Sequence, residues 1–231
     1  MKMSNIHFEN SRGIKGYSIT NKVKNNSSIY LITKRFVDIF SALLGLIFCF
    51  PIIFVISAIF LFERKKGSVF FKQIRVGKDG KKFFIYKFRS MAIDSEERLR
   101  SDKALYEKYV ANNYKLEQHE DPRITKLGAF LRKTSLDEIP QFFNVLKGDM
   151  SLIGPRPVVE KELEEYGDRV NDFLSVKPGL TGFWQVSGRS DVKYPERVDL
   201  ELYYVYNQSS WFDLKILFLT IWIVLLRRGA Y

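Results

Sequence analysis

A run of about 24 uncharged residues, Ile39 to Phe62 ("IFSALLGLIFCFPIIFVISAIFLF"), constrains this chain more than any other feature. Roughly 20 apolar residues cross a hydrocarbon core as a helix, so this run suits a bilayer. A fully buried core helix is the competing reading, but such helices are usually shorter and interrupted. A cleaved signal peptide does not fit: the run is too long, starts too late and lacks a small-residue cleavage site. Pro51 removes one helical hydrogen bond near the middle and predicts a kink. Both flanks are basic, Lys34 and Arg35 before and Arg64, Lys65 and Lys66 after. Positive flanks favour the cytoplasmic side, so a straight span puts one cluster on the wrong side. A helix that enters, bends at Pro51 and returns keeps both on one face. The expected anchor over residues 29–66 is therefore re-entrant, with a simple span as the alternative, since proline also occurs in ordinary membrane helices.

The rest of the chain is strongly basic: the formal net charge is +11 over 231 residues. Nucleic acid, anionic lipid and phosphorylated substrates all match that excess. A nucleic-acid role rests on charge alone, since no binding motif accompanies it. Cys49 is the single cysteine, so no intrachain disulfide forms, and His7 and His119 are too far apart in sequence to suggest a zinc site.

Residues 1–28 are polar, rich in Asn, Ser and Lys, and read as a flexible arm. Residues 67–231 read as the domain that follows the anchor. It opens with two β-branched and aromatic runs around "GKDGK", where Asp79-Gly80 suits a hairpin turn. The hairpin carries the basic residues Lys72, Arg75, Lys87 and Arg89; a solvated strand face is the plain reading for any one of them. Residues 94–118 are charged and helix-prone. Thr125 is a candidate cap for a helix with Ile124, Leu127, Phe130 and Leu131 on one face. Ile139, Phe142, Phe143 and Leu146 repeat at helical spacing, and Gly148 is placed to end that helix. In "LIGPRP", Pro155 and Pro157 hold Arg156 on a stiff extended loop. "WFDLKILFLTIWIVLLRR" has about 11 uncharged residues, Ile216 to Leu226, too few to cross a bilayer. Its tryptophans, with Arg227 and Arg228, suit a helix lying in the membrane interface. The expected fold class is α+β: a mainly helical domain with a small β-hairpin or sheet, a re-entrant membrane helix and interfacial helices.

Within this basic chain two acids stand side by side, Asp137 and Glu138, in "KTSLDEIPQFFNVLKGDMSLIGPRP". Helix capping explains them economically. Ser135 and Glu138 match a capping box, or Asp137 is itself the cap with Pro140 in the first turn. The neighbourhood supports different chemistry. A helix start favours an anionic Asp137 and can hold a phosphate. Arg132 and Arg156 offer bidentate contacts to phosphate oxygens. An aspartate is a competent nucleophile toward phosphorus once cations offset the repulsion. Glu138 is a natural ligand for Mg²⁺, which prefers few carboxylates plus substrate oxygens.

The segments "KRFVDIFSALLGL", "GSVFFKQIRVGKDGKKFFIYKFRSM", "DPRITKLGAFLRKTSLDEIPQFFNVLKGDMSLIGPRPVV", "KPGLTGFWQVSGR" and "LYYVYNQSSWFDLKILFLT" closely resemble the bacterial sugar transferases, the monotopic polyprenyl-phosphate phosphoglycosyl transferases. The resemblance covers about residues 30–231 and looks like the minimal catalytic form. It implies a two-step reaction on the cytoplasmic face of the bacterial inner membrane. An aspartate attacks a UDP-sugar and releases UMP; undecaprenyl phosphate then takes the sugar phosphate, as a first step toward exopolysaccharide or capsule. On this sequence it implies Asp137 as nucleophile and Glu138 as Mg²⁺ ligand or acid–base partner. Arg132, Arg156, Lys87, Arg89, Arg75 and Gln73 match phosphate-contacting positions, and Asp213 an acid near the site. The glycine-rich loop is the expected nucleotide site, with Arg189, Gly179 and Gly182 as candidates. Mg²⁺ is the expected cofactor and a homodimer stays open. The rival readings are a non-catalytic scaffold of a polysaccharide assembly complex and an enzyme that moves the sugar without its phosphate, releasing UDP.

Overall fold

The computed structural model describes residues 26–63, 67–111, 116, 119–188 and 192–225. The N-terminal arm up to residue 25, the basic residues 64–66, Arg189 and the terminal Arg227 and Arg228 lie outside them. The described elements are mainly helical, with two small two-stranded sheets.

Helix α1, Ser28–Leu61, is capped by Ser27, whose Oγ accepts from the Tyr30 amide at 3.2 Å. It starts well before the uncharged run and continues unbroken through Pro51. At 1.5 Å per residue it is about 50 Å long, more than a hydrocarbon core is thick. One narrow stripe of it is covered by the domain. Asp38, Ala42, Ile56 and Phe60 are buried, and Cys49 and Ile53 pack in the same cluster as Ile56. The rest is uncovered and apolar, including Ile32, Phe36, Ile47, Phe48, Phe54 and Leu61. An uncovered apolar face of this size belongs in lipid, and the protein sits on the bilayer as a monotopic membrane protein.

Both ends of α1 are tied to the same domain. Near its start, the Arg35 guanidinium donates to the carbonyls of Val145 and Leu146 at 2.7 and 2.8 Å, and Lys34 pairs with Asp213 at 2.9 Å. Inside it, Asp38 accepts from Ser151 Oγ and the Leu152 amide. Just past its end, Glu63 pairs with Arg89.

The hairpin joins β1, Phe70–Val76, to β2, Lys82–Phe88, in antiparallel register from Phe70 opposite Phe88 to Val76 opposite Lys82. Asp79 and Gly80 both take positive φ (56° and 74°), as an Asp-Gly turn requires. The charged stretch forms α2, Ser95–Ser101, and α3, Lys103–Ala111. Thr125 caps α4, Lys126–Lys133, accepting from the Gly128 amide at 2.9 Å. Leu131 is buried on its inner face while Phe130 is exposed. Helix α5, Gln141–Lys147, ends at Gly148 with φ 86°. Strand β3, Ser151–Ile153, runs parallel to β4, Gly179–Thr181, and the remainder of the "LIGPRP" stretch leaves it as a loop. Short helices α6, Val170–Leu174, and α7, Phe183–Val186, precede α8, Glu196–Tyr206. Helix α9, Ser210–Leu225, leaves Trp211, Phe218, Ile221 and Trp222 uncovered, a second apolar surface for the bilayer.

Candidate active site

Asp137 and Glu138 lie on one tight 3-10 turn, Leu136–Glu138, entered through Ser135 in the left-handed region (φ 57°). A residue with a Cβ rarely adopts that conformation, and such strain concentrates at functional sites. Neither expected cap forms. Helix α5 starts only at Gln141, the cap position is Pro140, and no side chain caps either segment. The 3-10 turn is the reason. The Glu138 and Ile139 amides already donate to the carbonyls of Ser135 and Leu136, so the donors a cap would serve are used. Asp137 is 8% exposed without any capping duty. A buried carboxylate in that position costs stability unless something else requires it.

Lys87 bridges the pair. Its ammonium lies 2.6 Å from Glu138 Oε1 and 3.9 Å from Asp137 Oδ2. Strand β2 presents it next to the turn because Ile85, on the same strand face, is buried in the core. The two acids respond oppositely. Burial, reinforced by the Glu138 charge against Lys87, Arg132 and Arg156, pushes Asp137 up to about 6. Burial also disfavours the Glu138 anion, but Lys87 and Arg156 outweigh it and hold Glu138 down to about 2. Neighbouring acids pushed apart in this way mark distinct chemical roles.

Glu138 and Lys87 line a cleft with Arg75, Arg156, Gln141 and Gln185. Arg156 reaches it from the Pro-bracketed loop, where Glu201 Oε1 accepts from its backbone amide at 3.2 Å. Its guanidinium stands 5.8 Å from the Trp184 ring centre. Arg75 Nη1 donates to the Pro157 carbonyl at 3.1 Å, which ties the hairpin to the same loop. Burial and the charge of Arg156 pull the Arg75 guanidinium down to about 10. Arg75 also pairs with Glu162 at 3.4 Å, as Lys87 does with Glu138, and Arg156 stands near enough to Arg75 for the two charges to oppose each other, an arrangement that fits an anionic ligand.

The other expected site residues are distributed as follows. Gln73 Oε1 accepts from Arg75 Nη2 at 2.6 Å and so supports Arg75. Arg132 donates through Nε to Ser90 Oγ at 2.8 Å, and its charge reaches Asp137. Arg89 faces α1, paired with Glu63 and stacked over Phe60. Asp213 accepts from Tyr30, Lys34 and Tyr204, a cluster that joins α1, α8 and α9 and shares no residue with the cleft lining. Gly179 lines the cleft, and both it and Gly182 have a backbone reason to be glycine. A Cβ on Gly179 meets Gly154 N at 2.1 Å, and one on Gly182 meets Gly154 O at 2.0 Å. Sequence reasoning passed over Gln141, Gln185 and Glu201. The first two stand inside quoted motifs, yet an uncharged amide carries no signal until a cleft forms around it.

A family model described as bacterial sugar transferase matches residues 29–227. The chain belongs to that family, whose members are transferases. Among characterised proteins it is 44% identical to "Galactosyl transferase CpsE" of Streptococcus agalactiae over 100% of this chain and 51% of that protein. It is 47% identical to "Undecaprenyl-phosphate galactose phosphotransferase" of Salmonella typhimurium over 92% of this chain and 44% of that protein. It is 43% identical to "Exopolysaccharide production protein ExoY" of Sinorhizobium fredii over 87% of this chain and 88% of that protein. The chain thus spans about half the length of the first two and most of the third.

Proposed function

We propose that this protein transfers a sugar 1-phosphate from a UDP-sugar to undecaprenyl phosphate, releasing UMP, on the cytoplasmic face of the bacterial inner membrane. The observation that carries this reading is a buried Asp137 with no capping role, beside a Lys87-bound Glu138 that lines a cleft with Arg75 and Arg156.

In the first step an Asp137 carboxylate oxygen bonds to the sugar-bearing phosphorus. The bridging P–O bond breaks and its electron pair leaves with UMP. In the second step an oxygen of the lipid phosphate attacks the same phosphorus and frees Asp137. With a pKa of about 6, Asp137 is ionised near neutrality yet more basic than an ordinary carboxylate. Glu138 stays charged and holds Lys87 against the reacting group, so it is no proton donor at working pH. Arg75, Arg156 and Lys87 stabilise the charge that builds on the phosphoryl oxygens.

The two adjacent carboxylates also fit Mg²⁺ entering with the diphosphate, since that ion takes one or two carboxylates and fills its shell with phosphate oxygens and water. Glu138 would hold it, sharing the carboxylate with Lys87, which already stands 2.6 Å from Oε1, and the ion would supply further charge neutralisation. Among the described residues no third His, Cys, Asp or Glu joins them. The re-entrant reading of α1 draws support from the contacts that both of its ends make with one domain.

The test is product identity. Purified protein with undecaprenyl phosphate and a panel of UDP-sugars is expected to release UMP and form a polyprenyl diphosphate sugar. Release of UDP instead assigns sugar transfer without phosphate, and no turnover assigns a scaffold.

A further inference from the structure

Among the described residues, five buried side-chain polar atoms have no hydrogen-bond partner; Arg89 Nη1 and Arg197 Nη2 lie away from the cleft, while Arg75 Nε, Gln141 Nε2 and Gln185 Oε1 belong to residues that line it. Buried polar atoms are rarely left unpaired, so those at the cleft call for a partner from water or from a ligand. Arg75 Nε and Gln141 Nε2 are donors, and ionised phosphate oxygens satisfy both. Gln141 also stands close enough to Glu138 to favour its charged form without a bond of normal geometry. Gln185 poses a different requirement. Its oxygen needs an N–H or O–H, and a fully ionised diphosphate has none to give. A carboxamide joins an acceptor to a donor, so the group it matches is one that carries both, a hydroxyl or an imide.

The backbone around Gln185 is held firmly. Trp184, the preceding residue, is buried, donates through Nε1 to the Val192 carbonyl at 3.0 Å, and packs against the Arg197 guanidinium 4.4 Å from its ring centre. Gly182, three residues before Gln185, abuts the Gly154 carbonyl so tightly that no side chain fits, and Gln185 Oε1 itself lies only 3.0 Å from where a Gly182 Cβ would stand, so glycine there is also what leaves room for the amide. A side chain mounted on a fixed backbone with an unserved polar atom is built to discriminate.

We propose that Gln185 is a specificity residue that reads a single hydroxyl of the transferred sugar or the imide N–H of the uracil. This rests on the donor being a UDP-sugar, as proposed above. The test is Gln185→Leu, read two ways. One arm measures the ratio of kcat/KM between UDP-hexoses that differ at one hydroxyl. The other measures the inhibition constant of UMP, which has no hexose. If Gln185 reads the sugar, the ratio for one epimer pair falls about ten-fold while UMP inhibition is unchanged. If it reads the uracil, the UMP inhibition constant rises about ten-fold while the hexose ratios hold. Ratios and inhibition constants do not depend on the active fraction, so partial misfolding of the variant does not mask either result. Both quantities staying within about two-fold of wild type overturns the assignment. Wild-type protein that consumes no UDP-sugar overturns the donor reading itself, and the role of Gln185 with it.

Discussion

Asp137 occupies a position where a carboxylate resists ionisation, and Lys87 is the group that keeps it usable. Removing Lys87 takes away the cation that most favours the Asp137 anion, so its pKa moves further up. The expected acid limb of kcat/KM for the UDP-sugar lies near pH 6 in the wild type, with activity rising above it. In Lys87→Met that limb shifts upward by about one unit, as a pH–rate profile would show. A limb that stays put after the substitution removes Lys87 from this role. Stability runs the other way. A raised carboxylate pKa contributes to folding below the ordinary value and loses that contribution as pH rises through about 6. Asp137→Asn is therefore expected to abolish UMP release yet melt no lower than wild type at pH 7.5. Glu138, held down, contributes the opposite dependence, so the pair together costs the fold little.

At the scale of elements, the site depends on close backbone contacts. A Cβ on Gly128 falls 1.9 Å from the Ser90 carbonyl oxygen, so α4 can approach the end of the hairpin only with glycine there. The contact sets where Arg132, on the same helix, meets Ser90 Oγ. Gly128→Ala is expected to destabilise the protein by about 2 kcal/mol or more and to lower activity; a thermal melt beside a UMP assay would check both. A melt within 1 °C of wild type would contradict the packing argument. Much at this scale was legible in the sequence, because caps and turns are local. Thr125, Asp79-Gly80 and Gly148 all act where their chemistry predicts. The carboxylate pair misled for the same reason. A capping box is a local pattern, and the left-handed Ser135 that replaces it with a 3-10 turn is not visible in the pattern. Asp213 and Arg89 are likewise placed by long-range partners on or beside α1 that spacing does not reveal.

At the scale of the whole molecule, α1 is anchor and scaffold at once. Its first third meets the domain through Arg35 and Asp38, and Glu63 just past its end meets it again. A helix standing straight across a bilayer would draw that charged domain into hydrocarbon. Single cysteines placed at Asn26 and Ser68 are therefore expected to react with an impermeant reagent from the same side of sealed vesicles. Labelling from opposite sides would establish a spanning helix. On the proposed function, a reaction centre held beside this anchor would let a lipid phosphate reach Asp137 while its chain stays in the membrane. That two-step route is the central claim, and mass spectrometry of protein incubated with a UDP-sugar alone tests it most directly. The account predicts one equivalent of UMP and a sugar phosphate attached to the peptide that contains Asp137. Nucleotide that appears only once the lipid phosphate is added, with no adduct on that peptide, would contradict it.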